Sequence, residues 1–293
     1  MVTLRDLDTG APRPPGSWCP GCGNYGIIQS VKKSLIELGL DPWNVVILSG
    51  IGCHGKLPHW VNTYGLHAIH GRTLPAAQAI KLANHELTVI AHAGDGDALN
   101  EGGNHFIHAC RRNIDLTFVI HNNEIYGLTT GQASPTSEQG LKTKTTPTGV
   151  LEIRANPVAL AITAGATWVS RGFAGDVKHL TTLYKEAITH KGFAVLDIIQ
   201  PCVTFGPHRR EPGRGFDWYR ERIYQLKDAN HDPSDKWAAL QRADEWGEKI
   251  PIGVFYKESR PTFRDGIPSI ATIPLVKHDI QDVDISEALK ELI

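Results

Sequence analysis

The chain has 293 residues and a formal net charge of −1, a balance that argues against binding nucleic acid or a membrane surface through non-specific electrostatics. Hydrophobic residues at 41% against 21% charged fit a globule with a sizeable core and exclude a disordered or collagen-like chain. Five cysteines in so long a chain are too sparse for a small secreted disulfide scaffold, and they require another explanation.

The first residues include Arg5, Asp6 and Asp8 and lead into a Pro-rich stretch, residues 11–16, with no uninterrupted apolar run. A secretory leader is therefore not expected, and neither is a membrane span. A reducing cytoplasm follows as the expected compartment, where thiols more often serve as metal ligands or catalysts than as bridges.

In chain order, Asn24 is placed to cap a helix that carries Ile27, Ile28, Val31, Leu35 and Leu38 on one stripe and stops at Gly39. Residues 44–49 (NVVILS) read as a buried strand, residues 76–84 as a helix, 88–93 (TVIAHA) as a second strand, and 97–112 as one continuous helix. A third strand is expected at 115–122 (DLTFVIHN), helices at 156–164 and 176–190, and a fourth strand at 193–200 (FAVLDIIQ). Such alternation implies an α/β fold with a doubly wound, mostly parallel sheet, in which ligands sit beyond the carboxyl ends of the strands. From about residue 203 the alternation stops and Pro, Arg, Trp and Tyr become frequent, with one amphipathic stretch at 234–246. Residues 1–204 are therefore read as the main domain and 205–293 as an extension that packs on the core or on a partner.

Three constellations carry chemistry. The first is Trp18-Cys19-Pro20-Gly21-Cys22-Gly23-Asn24, a C-x-x-C knuckle whose small residues leave amides free to face sulfur. Cys53 follows the first strand and Cys202 the last, so a parallel sheet brings both to the edge where the knuckle can meet them. Four thiolates suit tetrahedral zinc or a [4Fe–4S] cluster; ligand type does not separate the two, and two distant single cysteines favour the cluster. Cys110, within the 97–112 helix, is expected to be a buried small hydrophobe.

The second is Gly94-Asp95-Gly96-Asp97 after one strand and Asn122-Asn123-Glu124-Ile125-Tyr126-Gly127 after the next. Asp95 and Asn123 are 28 positions apart, the length of one strand–helix–strand crossover, which puts both at the same sheet edge. Their oxygens and a nearby main-chain carbonyl suit Mg²⁺, which keeps part of its octahedron for phosphate oxygens. The glycines and the start of a helix at Asp97 suit a diphosphate.

The third is Gly50-Ile51-Gly52-Cys53-His54-Gly55-Lys56, which matches G-x-x-x-x-G-K. Leu57 stands where Ser or Thr would hold Mg²⁺ and Pro58 follows, so a nucleoside-triphosphatase loop is disfavoured. In the alternative, Cys53 faces the cluster, Ile51, Gly52 and His54 line a cofactor, and Lys56 offers a cation to an acidic substrate, with His70-Gly71-Arg72 nearby in sequence.

Together the segments WCPGCGN, GIGCHGK, HGR, GDGDALNEGGNH, HNNEIYGLTTGQ and QPC, in this order across roughly residues 15–205, resemble the β subunit of 2-oxoacid:ferredoxin oxidoreductases. The resemblance implies a thiamine-diphosphate-binding fold and oxidative decarboxylation of a 2-oxoacid to acyl-CoA and CO₂, with electrons passed through a [4Fe–4S] cluster to ferredoxin. By position it implies that Cys19, Cys22, Cys53 and Cys202 hold the cluster. Asp95, Asn123 and the carbonyl of Ile125 would hold Mg²⁺, and Ile51, Gly52, Cys53, His54, His70, Gly96, Asp97, Gly127 and Leu128 would line the thiamine diphosphate site. Lys56 falls where the family meets the substrate carboxylate, with His54 and His70 as the other expected catalytic side chains. An α subunit, which supplies the carboxylate that activates the aminopyrimidine, is the implied partner in a heterodimer or a dimer of heterodimers; ferredoxin, the 2-oxoacid and coenzyme A are the other partners. Lys56 and Arg72 incline the substrate toward 2-oxoglutarate over pyruvate. The competing readings are a non-oxidative thiamine-dependent decarboxylase subunit, which leaves four cysteines idle, and a zinc-stabilised binding module without catalysis.

Overall fold

The computed structural model describes residues 2–10, 18–207, 215–281 and 283–292. The Pro-rich stretch at 11–16 lies outside the described residues. In chain order the elements are α1 (Asn24–Glu37), β1 (Val45–Ser49), β2 (Tyr64–His67), α2 (Thr73–Ala83), β3 (Thr88–Gly94), α3 (Gly103–Arg112), β4 (Leu116–Asn122) and a small hairpin of β5 (Ile125–Tyr126) and β6 (Gln132–Ala133). There follow α4 (Pro157–Ala164), β7 (Trp168–Phe173), α5 (Val177–Thr189) and β8 (Phe193–Ile199). The last part holds α6 (Phe216–Arg220), β9 (Ile223–Gln225), α7 (Lys236–Asp244), β10 (Ile250–Lys257), α8 (Pro268–Ala271) and α9 (Ser286–Lys290).

Among the described residues, eight strands form one sheet in the order β2-β1-β3-β4-β8-β7-β10-β9. Every neighbouring pair is parallel except β10 with β7, so the expected mostly parallel, doubly wound α/β sheet is present. The central strands are buried on both faces and alternate between two cores. Val46 and Leu48 of β1 join Phe106, Phe118 and Val195 on the face covered by α2, α3 and α4, whereas Val45 and Ile47 join Ile27, Val31, Leu35 and Leu196 on the face covered by α1 and α5. Each such side chain, fully removed from water, contributes about 1.5–3 kcal/mol. No helix among the described residues is long and apolar enough to cross a membrane.

Several local expectations are corrected. Asn24 does not cap α1: the cap position is Gly23, without a side-chain cap bond, and Asn24 lies inside the first turn, where its Oδ1 accepts from His121 Nδ1 at 2.8 Å. Leu38 stands just past α1 as its C-terminal cap. α2 begins at Thr73 and not at residue 76, because Pro75 sits in the first turn, where its missing N–H has no intrahelical partner to lose. The expected continuous helix at 97–112 is broken. A π-turn spans Asp97–Glu101 and α3 restarts at Gly103, on either side of Gly102, which packs against the carbonyls of Asp97 and Gly71.

Beyond residue 203 the chain adds β10 antiparallel to β7, with β9 outside it. Its Trp218, Tyr219, Ile250 and Ile252 form a third cluster with Phe173 and Ile199 of the central sheet.

Candidate functional site

Because β1, β3, β4 and β8 are parallel, the loops after Ser49, Gly94, Asn122 and Ile199 all emerge at one edge. β1 leads outward to β2 while β3 and β4 continue the other way, so the chain reverses direction between β1 and β3, the topological position at which such sheets bind ligands. A cleft of about 80 Å³ opens there, and its walls include Ile51, Gly52, Cys53, His54, His70, Asp95, Gly96, Asp97, Asn123, Ile125, Gly127 and Leu128.

Asp95 lines this cleft yet is almost wholly buried, and its Oδ2 accepts from Ser134 Oγ and Thr136 Oγ1, each at 2.5 Å. Burial pushes its carboxyl above the usual range, against the hydrogen bonds of Ser134 and Thr136. Asp95 has no ion-pair partner among the described residues. A buried carboxylate on a cleft wall without a cationic side chain is suited to a bound cation. Asn123 stands beside it: its Oδ1 accepts from the Ile125 amide at 3.1 Å and its Nδ2 donates to Gln200 Oε1 at 3.3 Å. Asp95, Asn123 and Ile125 thus share one cleft, a donor set that fits a hard divalent ion.

Asp97 has a different part. Its Oδ1 accepts from the Gly71 amide at 2.6 Å and lies 2.9 Å from His70 Nδ1, and its Oδ2 is 3.3 Å from His54 Nε2. Burial alone pushes the Asp97 carboxyl up, but His54, the Gly71 amide and His70 together hold it below the usual range. It joins the loops after β1, β2 and β3, so both expected catalytic histidines are oriented by the same carboxylate. Lys56 lies in the 3₁₀ helix Cys53–Trp60, outside the cleft wall and close enough to Cys53 for its charge to favour the thiolate.

The sulfurs gather beside this cleft. The knuckle closes with the Cys22 amide donating to the Cys19 carbonyl at 3.0 Å, and Trp18 Nε1 donates to the Cys53 carbonyl at 2.7 Å, which ties the knuckle to the loop after β1. Gln200 Nε2 lies 3.4 Å from Cys22 Sγ and the Phe205 amide 3.3 Å from Cys202 Sγ, donors of the kind that stabilise a ligating thiolate. Burial pushes the Cys22 thiol up to about 12 and the Cys53 thiol to about 11; Cys22 also feels the charges of Cys53, Cys202 and Cys19, and Cys53 those of Cys202 and Cys19. No group of three or more His, Cys, Asp or Glu among the described residues closes around a single metal ion. Cys110 is fully buried in α3 and packs in a different core cluster from Cys22 and Cys53.

Gly127 joins the two regions. A Cβ there would lie 3.6 Å from Cys202 Sγ, 3.7 Å from Cys53 Sγ and 3.8 Å from Asn123 Nδ2.

Several participants escape sequence reasoning. Ser134 and Thr136 are ordinary hydroxyls in a loop until they meet Asp95. Glu124 draws no notice between Asn123 and Ile125, although it is buried and hydrogen-bonded to Tyr219 at 2.5 Å. Gln200 carries a signal, its position directly before Pro201-Cys202.

Comparison with known proteins matches residues 50–198 to the thiamine pyrophosphate enzyme C-terminal TPP-binding domain, and residues 202–272 to the C-terminal family of the pyruvate ferredoxin oxidoreductase β subunit. The chain is 44% identical to the 2-oxoacid:ferredoxin oxidoreductase β subunit of Saccharolobus solfataricus, over 94% of this chain and 95% of that one. It belongs to the 2-oxoacid:ferredoxin oxidoreductase β-subunit family. Another relative of this β subunit is the 2-oxoglutarate synthase subunit KorB of Archaeoglobus fulgidus, 45% identical over 87% of this chain and 90% of the relative. Among solved structures, 2-oxoglutarate:ferredoxin oxidoreductase from Magnetococcus marinus, with 2-oxoglutarate, coenzyme A and succinyl-CoA bound, superposes with a TM-score of 0.88 at 36% identity, covering 100% of this chain and 96% of that one. The β subunit is thus part of an oxidoreductase, works with an α subunit, and has a thiamine-diphosphate-binding fold.

Proposed function

We propose that this β subunit, with its α subunit in the cytoplasm, catalyses the coenzyme A-dependent oxidative decarboxylation of a 2-oxoacid, 2-oxoglutarate in preference to pyruvate, and passes the electrons to ferredoxin. The observation that carries this reading is Gly127, beside which the sulfurs of Cys53 and Cys202 and the side chain of Asn123 all lie. A non-oxidative decarboxylase has no use for thiols there, and a zinc-stabilised binding module has no use for the cleft.

Asp95, Asn123 and the Ile125 carbonyl would hold Mg²⁺, and Cys19, Cys22, Cys53 and Cys202 one [4Fe–4S] cluster. When bound, thiamine diphosphate supplies an electron sink for decarboxylation and the cluster a one-electron carrier. Ile51, Gly52, Gly96, Gly127 and Leu128 shape the wall of the cleft, and Asp97 keeps His54 and His70 turned toward it. Lys56 offsets and orients the substrate carboxylate from the Cys53 side. At about 80 Å³ the cleft is well below the roughly 300–1,000 Å³ of a site that encloses a ligand of cofactor size, which supports a site completed by the α subunit.

The test is anaerobic reconstitution of the α and β subunits with thiamine diphosphate and Mg²⁺. The expected result is ferredoxin reduction dependent on coenzyme A and faster with 2-oxoglutarate than with pyruvate, with about four irons and four sulfides per β subunit. Protein without iron and sulfide, or acid decarboxylation without ferredoxin reduction, overturns it.

A further inference from the structure

Glu124 lies between two residues assigned above to the cation, and its backbone is unusual. At φ 59° it occupies the left-handed region, which is sparsely populated for any residue other than glycine. Left-handed backbone at this single residue turns the chain sharply after Asn123, so that the Asn123 side chain accepts from the Ile125 amide while both residues line the same cleft. Glycine would adopt the conformation freely, yet the position carries a carboxylate that is 1% exposed. The carboxylate is held by two side chains distant in sequence. Tyr219 Oη donates to Glu124 Oε1 at 2.5 Å, and Arg154 Nε lies 4.0 Å from Oε2. Ser137 Oγ fixes the same residue's main-chain carbonyl at 2.6 Å.

These contacts reach Asp95 as well. Arg154 Nε donates to the Thr136 carbonyl at 3.1 Å, and Thr136 is one of the two hydroxyl donors to Asp95. The Arg154 guanidinium in turn lies 3.5 Å above the Trp246 ring. Tyr219 and Trp246 both come from the part of the chain beyond β8, so a segment distant in sequence reaches back to the turn that presents Asn123 and Ile125.

We propose that Glu124 is a positioning residue for the divalent cation: its carboxylate, clamped by Tyr219 and Arg154, holds the left-handed turn that aims the Asn123 side chain and the Ile125 carbonyl at one ion. This deepens the cation assignment made above and rests on it. Groups that orient metal ligands without touching the metal change affinity by roughly 10- to 100-fold when removed.

The experiment uses the full-length chain in complex with its α subunit, stripped of divalent ions and titrated with Mn²⁺ in the presence of thiamine diphosphate, followed by calorimetry and by the Mn²⁺ electron paramagnetic resonance spectrum. Tyr219→Phe, which removes one hydroxyl, and Glu124→Gln are each expected to weaken Mn²⁺ binding about tenfold or more and to alter the spectrum of the bound ion. Wild-type Mn²⁺ affinity in both variants overturns the proposal, and a lowered melting temperature of the stripped protein as the sole change overturns it equally, since that is the signature of packing alone. Asp95→Asn serves as the control and is expected to abolish Mn²⁺ binding. Wild-type affinity in that variant overturns the cation site itself, and so separates the failure of that reading from the failure of the clamp.

Discussion

Arg171 and Asp197 stand directly opposite each other in register on β7 and β8, both with no exposed surface, and Arg171 Nε lies 2.9 Å from Asp197 Oδ2. Asp197 Oδ1 also accepts from Asn122 Nδ2 at 3.1 Å, and the guanidinium lies 5.2 Å from the ring centroids of both Trp246 and Phe255. The pair therefore ties the last strand to be added, β10, to the strand that ends at Asn122. Asp197→Ala leaves a buried cation without its carboxylate and is expected to cost about 3–5 kcal/mol, whereas Arg171→Met with Asp197→Leu should cost much less. Urea unfolding of the three proteins checks this; a double variant no more stable than Asp197→Ala would contradict it.

Cys202→Ala should abolish the visible absorbance of the proposed iron–sulfur cluster and sharply reduce iron and sulfide content, because one proposed ligand and its Phe205 amide contact are lost together. Cys110→Ala should leave spectrum and metal content unchanged, since Cys110 packs in the core of α3. Optical spectra and iron analysis of anaerobically prepared protein distinguish the two; equal losses would contradict the assignment.

Gly127→Ala places its methyl at ordinary contact distance from Cys53, Cys202 and Asn123, and should retain both proposed cofactors. Gly127→Leu adds bulk against all three side chains and should reduce the content of the proposed cluster and thiamine diphosphate affinity together, by tenfold or more for the latter. Iron analysis alongside calorimetry measures both, and selective loss of one alone would show that Gly127 does not serve both sites.

Burial holds three histidines neutral well into acid: His92 down to about 3, with the charge of His54 adding to the effect, His121 well below its ordinary value, with His92 and His54 adding, and His190 down to about 4, with Lys257 adding. Between those values and about 6.5 the unfolded chain binds protons that the folded chain refuses. Stability contributed by these groups is full above pH 6.5 and declines as pH falls toward 4 and 3. Burial of Glu124, which pushes its carboxyl up to about 7, acts in the opposite sense over the same range, so the histidine contribution is read as a difference: between pH 7 and pH 5 the denaturant midpoint of His190→Gln should change less toward instability than that of the wild type. An equal or larger loss in the variant would contradict the assignment.

Much of the scaffold is legible in the sequence because the chemistry is local. β1, β3, β4 and β8 are short apolar runs, and the chain order of Asp95, Asn123, Cys53 and Cys202 after strands is enough to predict a shared edge. β7 (WVSRGF) escapes such a reading because Arg171 interrupts its apolar pattern, and the carboxylate that makes this tolerable lies on another strand. β10 escapes it for a related reason: Pro251 and Gly253 look like turn residues, but β10 runs antiparallel beside β7 near the sheet's margin, where such residues are accommodated. Asn24 resembles a cap by position while its side chain answers to His121, and neither Ser134 nor Tyr219 gives any local sign of what it reaches. Pairing across the fold, invisible to spacing, decides each case.

The four thiols also set an order of events for the newly made chain. Cys19 precedes β1 and Cys202 follows β8, and the segments that carry Cys53 and Cys202 meet only when β1, β3, β4 and β8 have aligned side by side. A parallel sheet with such distant partners closes late, after the entropy of long loops has been overcome. Assembly of the proposed cluster therefore waits for a largely finished fold, because a ribosome-bound fragment ending before β8 lacks the Cys202 that the other three thiols require.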